Sequence, residues 1–376
     1  MSIREIFCQD KAIGILQRAM AVGRVPHAYI FAGIEGVGKY KTAREWAKVL
    51  LCGNPNVEAR HNGDFSDSCG ACESCVLFES GAHPDFNHVY KELVRFTTDG
   101  KNRTTPVDLP IDVVREFLIA RASTRPTLSH RKVFVVTEAE RLNASSQNAL
   151  LKVLEEPPEY CCIILLCTRT EKLLPTTRSR CQIIRFGPIA EKRIVEKLKE
   201  MGVDAQTSRY FARLGQGSLG RSCQWAKLEL ADAQLHKTKR QLLNSVASYK
   251  YADALELAEW VLNQSKALAA VWAQLDKTTS RTHINRQSHK TLVQMVISAL
   301  HDAMCLNVSR VTGLANFDQE DRIQELARRF DSEQAAEKVA LGYETLRWID
   351  ASVNEKLIFE RLLLNLAASR IISAQH

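Results

Sequence analysis

The glycine-rich segment Gly33–Tyr40 constrains the fold of this chain more than any other feature. It follows an apolar run, Ala28–Ala32, and precedes a helical pattern that extends from about Lys39 to Leu51. The spacing is G-x-x-x-x-G-K, in which glycines let backbone N–H groups wrap a phosphate and the lysine reaches its oxygens. A buried strand before the loop and a helix after it are the context that this motif requires. The residues of this segment predicted to belong to the nucleotide-binding site are Gly33, Gly36, Gly38, Lys39 and Tyr40.

The positions that would hold a magnesium ion depart from the usual pattern twice. The eighth loop position, normally Ser or Thr, is Tyr40, and the apolar run Lys132–Val136 ends in Thr137-Glu138 where Asp-Glu is normal. Thr42 lies two residues further along the helix and should point elsewhere. Since both changes affect the same ion, we predict that ATP hydrolysis is weakened or lost while nucleotide binding can survive. Glu138 then remains as the water-orienting carboxylate, the alternative being a solvated acid at a strand end.

Strands and helices alternate through the first half of the chain. Short, almost continuously apolar runs occur at Lys132–Val136 and Cys161–Leu166, and a weaker one at Gln182–Phe186. Such runs are typical of strands buried on both faces, so we predict an α/β fold with a parallel sheet covered by helices.

The pattern changes after Pro188 to helices alone. We predict an α/β domain over 1–188, a small helical domain over 189–235 and a larger helical domain over 236–376. Within the last, the polar stretch Ser280–His289 is predicted to connect two helices.

Clustered cysteines indicate a metal site. Four of the eleven cysteines follow the spacing C-x16-C-x2-C-x2-C, which can close a tetrahedral zinc site with no open position and hence a structural role. These predicted ligands are Cys52, Cys69, Cys72 and Cys75. They define a module inserted over about 52–75. His61 and His83 are alternative ligands if Cys52 is not one, and free reduced thiols are the remaining alternative.

Composition excludes several classes of protein. With 45% hydrophobic and 25% charged residues, the chain is neither disordered nor collagen-like, and it is too long for a disulfide miniprotein. No run approaches about 18 consecutive apolar residues, and the polar start does not resemble a signal peptide, so we expect a cytoplasmic protein without a membrane segment. The net charge of +8 is spread evenly over both halves and gives only a weak indication of nucleic-acid binding.

A series of motifs, in a fixed order, resembles a known family. The series consists of Arg24–Phe31 before the glycine-rich loop, Cys69–Cys75, Gly81–Asp85, Asn148–Pro158 and Leu174–Cys181. It is similar to the AAA+ clamp-loader subunits of bacterial DNA polymerase III, and most similar to the delta-prime subunit. The resemblance covers about residues 8–225.

The resemblance implies a fold, partners and further site residues. Family members combine a RecA-like ATPase domain, a helical lid and a helical collar, and assemble with gamma/tau and delta subunits into a hetero-pentameric ring that loads the sliding clamp onto primed DNA. Arg180, in Ser-Arg-Cys, would be an arginine finger for the ATP of a neighbouring subunit. Thr168 would occupy the sensor-1 position and Arg221 the sensor-2 position of the lid.

Three functions are compatible with these features. The one most favoured is a delta-prime-like stator that donates Arg180; the second is a gamma/tau-type subunit that hydrolyses ATP itself; the third is an unrelated phosphate-loop zinc protein, against which the motif series counts. Contact with DNA would involve basic residues that the sequence does not distinguish from surface charge; the candidates are Lys101, Arg103 and Arg125.

Overall fold

The chain divides into two compact units, Met1–Ile189 and Ala190–His376. The structure is a computed structural model, and it describes residues 2–59, 64–98, 108–277, 279–308, 313–351 and 353–368. The boundary follows the proline at which the sequence pattern changes to helices alone. The predicted division of the second unit into a lid and a collar stays a prediction.

A parallel sheet forms the centre of the first unit. The strands of the unit are β1 (Ala28–Ala32), β2 (Asn56–Glu58), β3 (Phe65–Asp67), β4 (Phe86–Val89), β5 (Lys132–Val136), β6 (Cys161–Cys167) and β7 (Gln182–Arg185). The sheet has the order β4-β5-β6-β1-β7, and all of its strands run parallel to their neighbours. Every residue of β1, β5 and β6 is buried, as continuously apolar runs require. β2 and β3 form a separate antiparallel hairpin. The α/β fold with a RecA-like parallel sheet, predicted from the sequence, is therefore confirmed.

Helices connect the strands of the first unit. They are α1 (Asp10–Ala21), α2 (Lys39–Leu51), α3 (Glu73–Glu79), α4 (Ile111–Val114), α5 (Ala120–Ala122), α6 (Ala144–Glu155) and α7 (Pro175–Ser179). A π-helical turn, Arg115–Ile119, joins α4 to α5. Asn143 caps α6 by accepting the N–H of Ser146.

The described part of the second unit is helical. Its helices are α8 (Glu191–Glu200), α9 (Ala205–Leu214), α10 (Leu219–Leu230), α11 (Leu235–Ser248), α12 (Ala254–Leu275), α13 (Arg281–Val308), α14 (Glu320–Arg329), α15 (Ser332–Asp350) and α16 (Glu355–Ala367). α13 and α15 approach closely, since a Cβ on Gly342 would lie 2.5 Å from Cγ1 of Ile297.

The connection predicted at Ser280–His289 is wrong. Helix α13 begins at Arg281 and continues through the polar residues, and the Ser280 hydroxyl accepts the N–H of His283 as a helix cap does. The polar residues have the composition of a loop because the first turn of α13, at Arg281, Thr282 and His283, is exposed.

Helix α13 also meets a length and composition test for a membrane span among the described residues. However, 61% of its apolar window is buried inside the protein, which is usual for a core helix, and it contains Lys290 and Asp302. A single helix of this kind is weak evidence for a membrane.

Asp85 fixes the turn that leads into β5. Its carboxylate is fully buried and accepts the backbone N–H groups of Thr127, Leu128 and Ser129 at 2.7, 2.8 and 2.8 Å. Burial acts to raise the pKa of Asp85, but these donors outweigh it and hold the pKa below its ordinary value.

We predict that Asp85→Asn lowers the free energy of unfolding by about 2–4 kcal/mol near pH 7, because an amide group would face several N–H donors. Since folding lowers the pKa of Asp85, its contribution is complete above the pKa of the unfolded chain and is lost as the pH falls. Urea denaturation at pH 7 and at pH 4 measures both effects. Asp64→Asn, at an exposed position, is the control. An equal loss of stability in both variants, or a loss that grows as the pH falls, would contradict this role.

Candidate functional site

The glycine-rich loop follows β1 at the carboxyl edge of the sheet. The N–H of Gly33 donates to the carbonyl of Cys167 on β6 at 3.1 Å. A Cβ on Gly33 would lie 2.6 Å from the backbone oxygen of Phe186, so only glycine fits there without a shift. Gly36 and Gly38 have φ of +74° and +107°, values that other residues rarely adopt. The glycines of the motif therefore occur at positions where this backbone requires glycine.

Lys39 is folded back over the loop. Its side chain is buried, and Nζ donates to the carbonyl oxygens of Gly33 and Ile34 at 2.6 and 2.8 Å. A phosphate bound in the loop would compete with these carbonyls for the ammonium group. The ammonium group of Lys39 is thus held against the backbone of the glycine-rich loop.

Aromatic side chains lie next to Tyr40 and Thr137, the two positions at which the motif normally carries residues that position magnesium. The ring of Tyr40 packs against His88, with centroids 5.1 Å apart, and His88 packs against Tyr90 at 4.8 Å. Oγ1 of Thr137 lies 3.5 Å from Nε2 of His88. Burial lowers the pKa of His88 to about 4 and raises that of Tyr40, so these groups are neutral near pH 7. We call Tyr40, His88 and Tyr90 the aromatic cluster.

The aromatic cluster does not suit Mg²⁺. This ion binds carboxylate, hydroxyl and phosphate oxygens in octahedral geometry, and neither position offers a carboxylate. The nearby hydroxyl of Thr42 is fully buried and donates to the carbonyl of Gly38 at 3.0 Å, which confirms that it points into its own helix. His88 was missed in the sequence analysis, because only the pairing of β4 with β5 brings it to Thr137.

Glu138 forms ion pairs with two basic side chains. Its backbone has a φ of +52°, and its carboxylate pairs with Lys91 at 2.9 Å and with Nε of Arg141 at 2.7 Å. Both carboxylate oxygens are therefore engaged, one with each cation. The role of Glu138 as a water-orienting residue stays a prediction, and the two bonds do not favour it.

Thr168 follows β6 and bonds to Glu140. Its hydroxyl donates to one carboxylate oxygen, and its N–H lies 3.2 Å from the other. Glu140 was not singled out from the sequence, although it follows Glu138 by two residues. Arg221 lies in the first turn of α10 in the second unit, and its assignment as a sensor stays a prediction.

Arg180 lies at the end of α7 and is one-third exposed. One terminal nitrogen of its guanidinium, Nη1, donates to the carbonyl of Thr176 at 2.9 Å, and the other, Nη2, pairs with Glu155 at 2.8 Å. These partners belong to α7 and α6. The guanidinium therefore has a defined position at the surface, and the role of Arg180 as an arginine finger stays a prediction.

Four thiols converge between α2 and α3. The Sγ atoms of Cys52, Cys69, Cys72 and Cys75 all lie within 4.8 Å of one another and can hold a metal ion. Distances of 3.5, 3.8 and 4.0 Å between three of the sulfur pairs are close to the edge of about 3.8 Å of a tetrahedron with zinc–sulfur bonds of about 2.3 Å.

Backbone groups support the four-thiol cluster. The N–H of Cys69 donates to Sγ of Cys52, and the N–H of Cys72 to Sγ of Cys69, both at 3.3 Å. Burial acts to raise the pKa of Cys72, but backbone N–H donors and neighbouring thiols lower it to about 6. His83 is outside the cluster, since its ring bonds to Ser74 at 2.9 Å and to the N–H of Asp85. His61, the other alternative ligand, lies outside the described residues.

Arg125, one of the three basic residues considered for DNA contact, is exposed in the segment before β5. Its backbone carbonyl accepts a hydrogen bond from Lys132 at 3.2 Å. Lys101 and Arg103 lie outside the described residues. Contact of these residues with DNA stays a prediction.

Two family models match the chain. The model described as DNA polymerase III, delta subunit, matches residues 8–190, and a second model, of the C-terminal part of the DNA polymerase III delta subunit, matches residues 264–368. Together they cover about three quarters of the chain, in both units.

Individual relatives agree with these models. The chain is 24% identical over 360 residues to the DNA polymerase III subunit delta' of Bacillus subtilis, covering 95% of this chain and 96% of the relative. It is 37% identical over 179 residues to the DNA polymerase III subunit gamma/tau of Mycobacterium tuberculosis, covering 48% of this chain. The chain spans only 27% of that gamma/tau relative.

A solved structure also matches, a DNA polymerase III gamma subunit-related protein from Thermotoga maritima. It shares 17% identity at a TM-score of 0.42, covering 95% of this chain and 98% of the other.

We predict that Gly33→Ala lowers the free energy of unfolding by about 1–3 kcal/mol, because its Cβ would overlap the backbone of Phe186. Gly14→Ala is the matched control, since nothing lies within 4 Å of a Cβ in the interior of α1, and alanine there should stabilise by up to about 1 kcal/mol. Thermal and urea unfolding measure both variants. Equal stabilities of Gly33→Ala and wild type would show that the loop is looser than its geometry indicates.

Proposed function

Because the chain belongs to the clamp-loader subunits of bacterial DNA polymerase III and is delta-prime-like, we propose that it is a stator of a clamp loader. In this role it donates Arg180 to ATP bound by a neighbouring gamma/tau subunit while the assembly loads the sliding clamp onto primed DNA. It works in the cytoplasm, in a hetero-pentamer with gamma/tau and delta subunits, and touches primed DNA through the assembled complex.

The aromatic cluster at the magnesium positions is the observation that carries this proposal. Phosphoryl transfer from ATP depends on a metal ion that bridges the phosphates and neutralises developing charge. Here Tyr40 and Thr137 replace both side chains that would position the ion. The ring of His88 contacts both of them. The loop backbone and Lys39 still provide a phosphate site, so binding of ATP without efficient turnover is compatible with these residues.

The exposed guanidinium of Arg180 supports the second half of the proposal. It is always charged and offers a planar fork to phosphate oxygens. A protein that does not place magnesium for its own ATP can still complete the site of a neighbour, where the arginine stabilises charge in the transition state.

A gamma/tau-type ATPase is the alternative function. The observation that favours it is the 37% identity with a gamma/tau subunit over 179 residues, together with Lys39 held in the loop. In that case Glu138, freed from Lys91 and Arg141, would orient the attacking water.

We also propose that the four-thiol cluster binds one structural zinc ion. Cys52 lies at the end of α2, Cys69 and Cys72 lie between β3 and α3, and Cys75 lies within α3. The ion would therefore join the helix that follows the phosphate loop to the inserted module. With four protein ligands, zinc would stabilise the fold and take no part in hydrolysis.

We predict that the isolated chain shows no magnesium-dependent ATP turnover, because Tyr40 and Thr137 replace the small hydroxyl and the carboxylate that would position the ion. Binding of a fluorescent ATP analogue, with and without Mg²⁺, and phosphate release by wild type and Lys39→Ala measure this directly. Mg²⁺ should leave the affinity of wild type unchanged within about twofold, since no side chain recruits the ion. Robust turnover by wild type that Lys39→Ala abolishes would instead establish the gamma/tau-type ATPase.

For the metal site, we predict one zinc ion per purified chain. Cys72→Ser should lose the ion and lower the free energy of unfolding of the first unit by several kcal/mol, because the binding energy of a structural zinc is folding energy. Elemental analysis, and the visible spectrum of the cobalt-substituted protein, report the ligands. Cys305→Ser, in the second unit, is the control and should retain the metal. Full zinc content in Cys72→Ser would refute the four-thiol assignment.

A further inference from the structure

We propose that Glu155 is a positioning residue for Arg180: its carboxylate holds the guanidinium in the orientation that a neighbouring phosphate requires. This inference rests on the proposed function of Arg180 and adds a second residue to it. Glu155 touches neither nucleotide nor metal in this proposal and acts only through the arginine.

The geometry restrains the guanidinium at two points. Nη2 pairs with Oε1 of Glu155 at 2.8 Å, and Nη1 donates to the carbonyl of Thr176 at 2.9 Å. Two bonds from different nitrogens to different elements fix both the position and the plane of the group. They use two of its five N–H donors, so the same guanidinium can still donate to a phosphate.

The elements that carry the pair are fixed to each other. Gln147, buried in α6, donates to the carbonyl of Lys172 at 3.3 Å and accepts the N–H of Leu174 at 2.7 Å, directly before α7. Glu155 is the last residue of the same helix. The carboxylate and the arginine therefore stand on segments that Gln147 joins by two hydrogen bonds.

A guanidinium that is oriented before ATP reacts can contribute more to the reaction than a freely moving one. A free arginine side chain samples many rotamers, and ordering it at the moment of binding costs conformational entropy. A residue that orders it beforehand raises the fraction of molecules in which the guanidinium is ready for the transition state. Such an effect lowers kcat when it is lost and leaves the KM for ATP unchanged, since ATP binds to the neighbour.

The test uses the full assembly of this chain with its gamma/tau and delta partners. The Arg180-dependent turnover is defined as the ATPase rate with wild type minus the rate with Arg180→Ala. Glu155→Gln should lower this turnover by about two- to fivefold, the range for loss of an exposed ion pair. The KM for ATP should not change. Glu156→Gln removes the adjacent carboxylate, which is not bonded to Arg180, and should behave as wild type.

A double variant tests whether Glu155 affects the turnover only by orienting the Arg180 guanidinium. In the Arg180→Ala background, Glu155→Gln should cause no further loss, because Glu155 acts only through the arginine. Thermal unfolding and assembly should be unchanged in Glu155→Gln, since that side chain is half exposed.

Each contrary result has a distinct meaning. Unchanged or increased turnover with Glu155→Gln, or a further loss in the double variant, overturns the positioning role and leaves the function of Arg180 intact. No loss with Arg180→Ala overturns the arginine finger itself, and the positioning role with it.

Discussion

The parallel arrangement of β4, β5, β6 and β1 is the constraint on which the candidate site depends. Parallel strands end at the same edge of a sheet, so the residues that follow them meet there irrespective of their distance in sequence. The glycine-rich loop, His88, Thr137 and Thr168 all stand at or next to this edge. The chemistry available to the first unit is therefore decided by the few side chains that follow these strand ends.

At this edge the residues divide into those that favour phosphate and those that disfavour magnesium. Glycines with positive φ and a buried lysine remain at the loop, whereas the ring of His88 contacts both Tyr40 and Thr137, which replace the magnesium-positioning residues of the motif. Glu138 is already bonded to Lys91 and Arg141, and Glu140 to Thr168. These contacts agree with the proposed function, in which this chain does not turn ATP over efficiently and Arg180 acts on a neighbour.

Local patterns allowed the sequence to predict the strands β1, β5 and β6, the loop and the four thiols, because runs of apolar residues, glycine spacing and cysteine spacing depend on few distant contacts. Pairs that depend on tertiary contact were not predictable: Lys91 with Glu138, and Glu155 with Arg180, are separated by 47 and 25 positions. The error at Ser280–His289 has a different cause, since a polar stretch at the start of a helix has the composition of a loop.

The most direct measurement is a structure of the assembled clamp loader with ADP and a fluoride analogue of the transferred phosphate. We expect the Arg180 guanidinium within hydrogen-bond distance of the analogue bound by the neighbouring subunit, with no magnesium ion between Tyr40 and Thr137. A magnesium–nucleotide complex in the Gly33–Lys39 loop, with Arg180 distant from every phosphate, would contradict both halves of the proposed function.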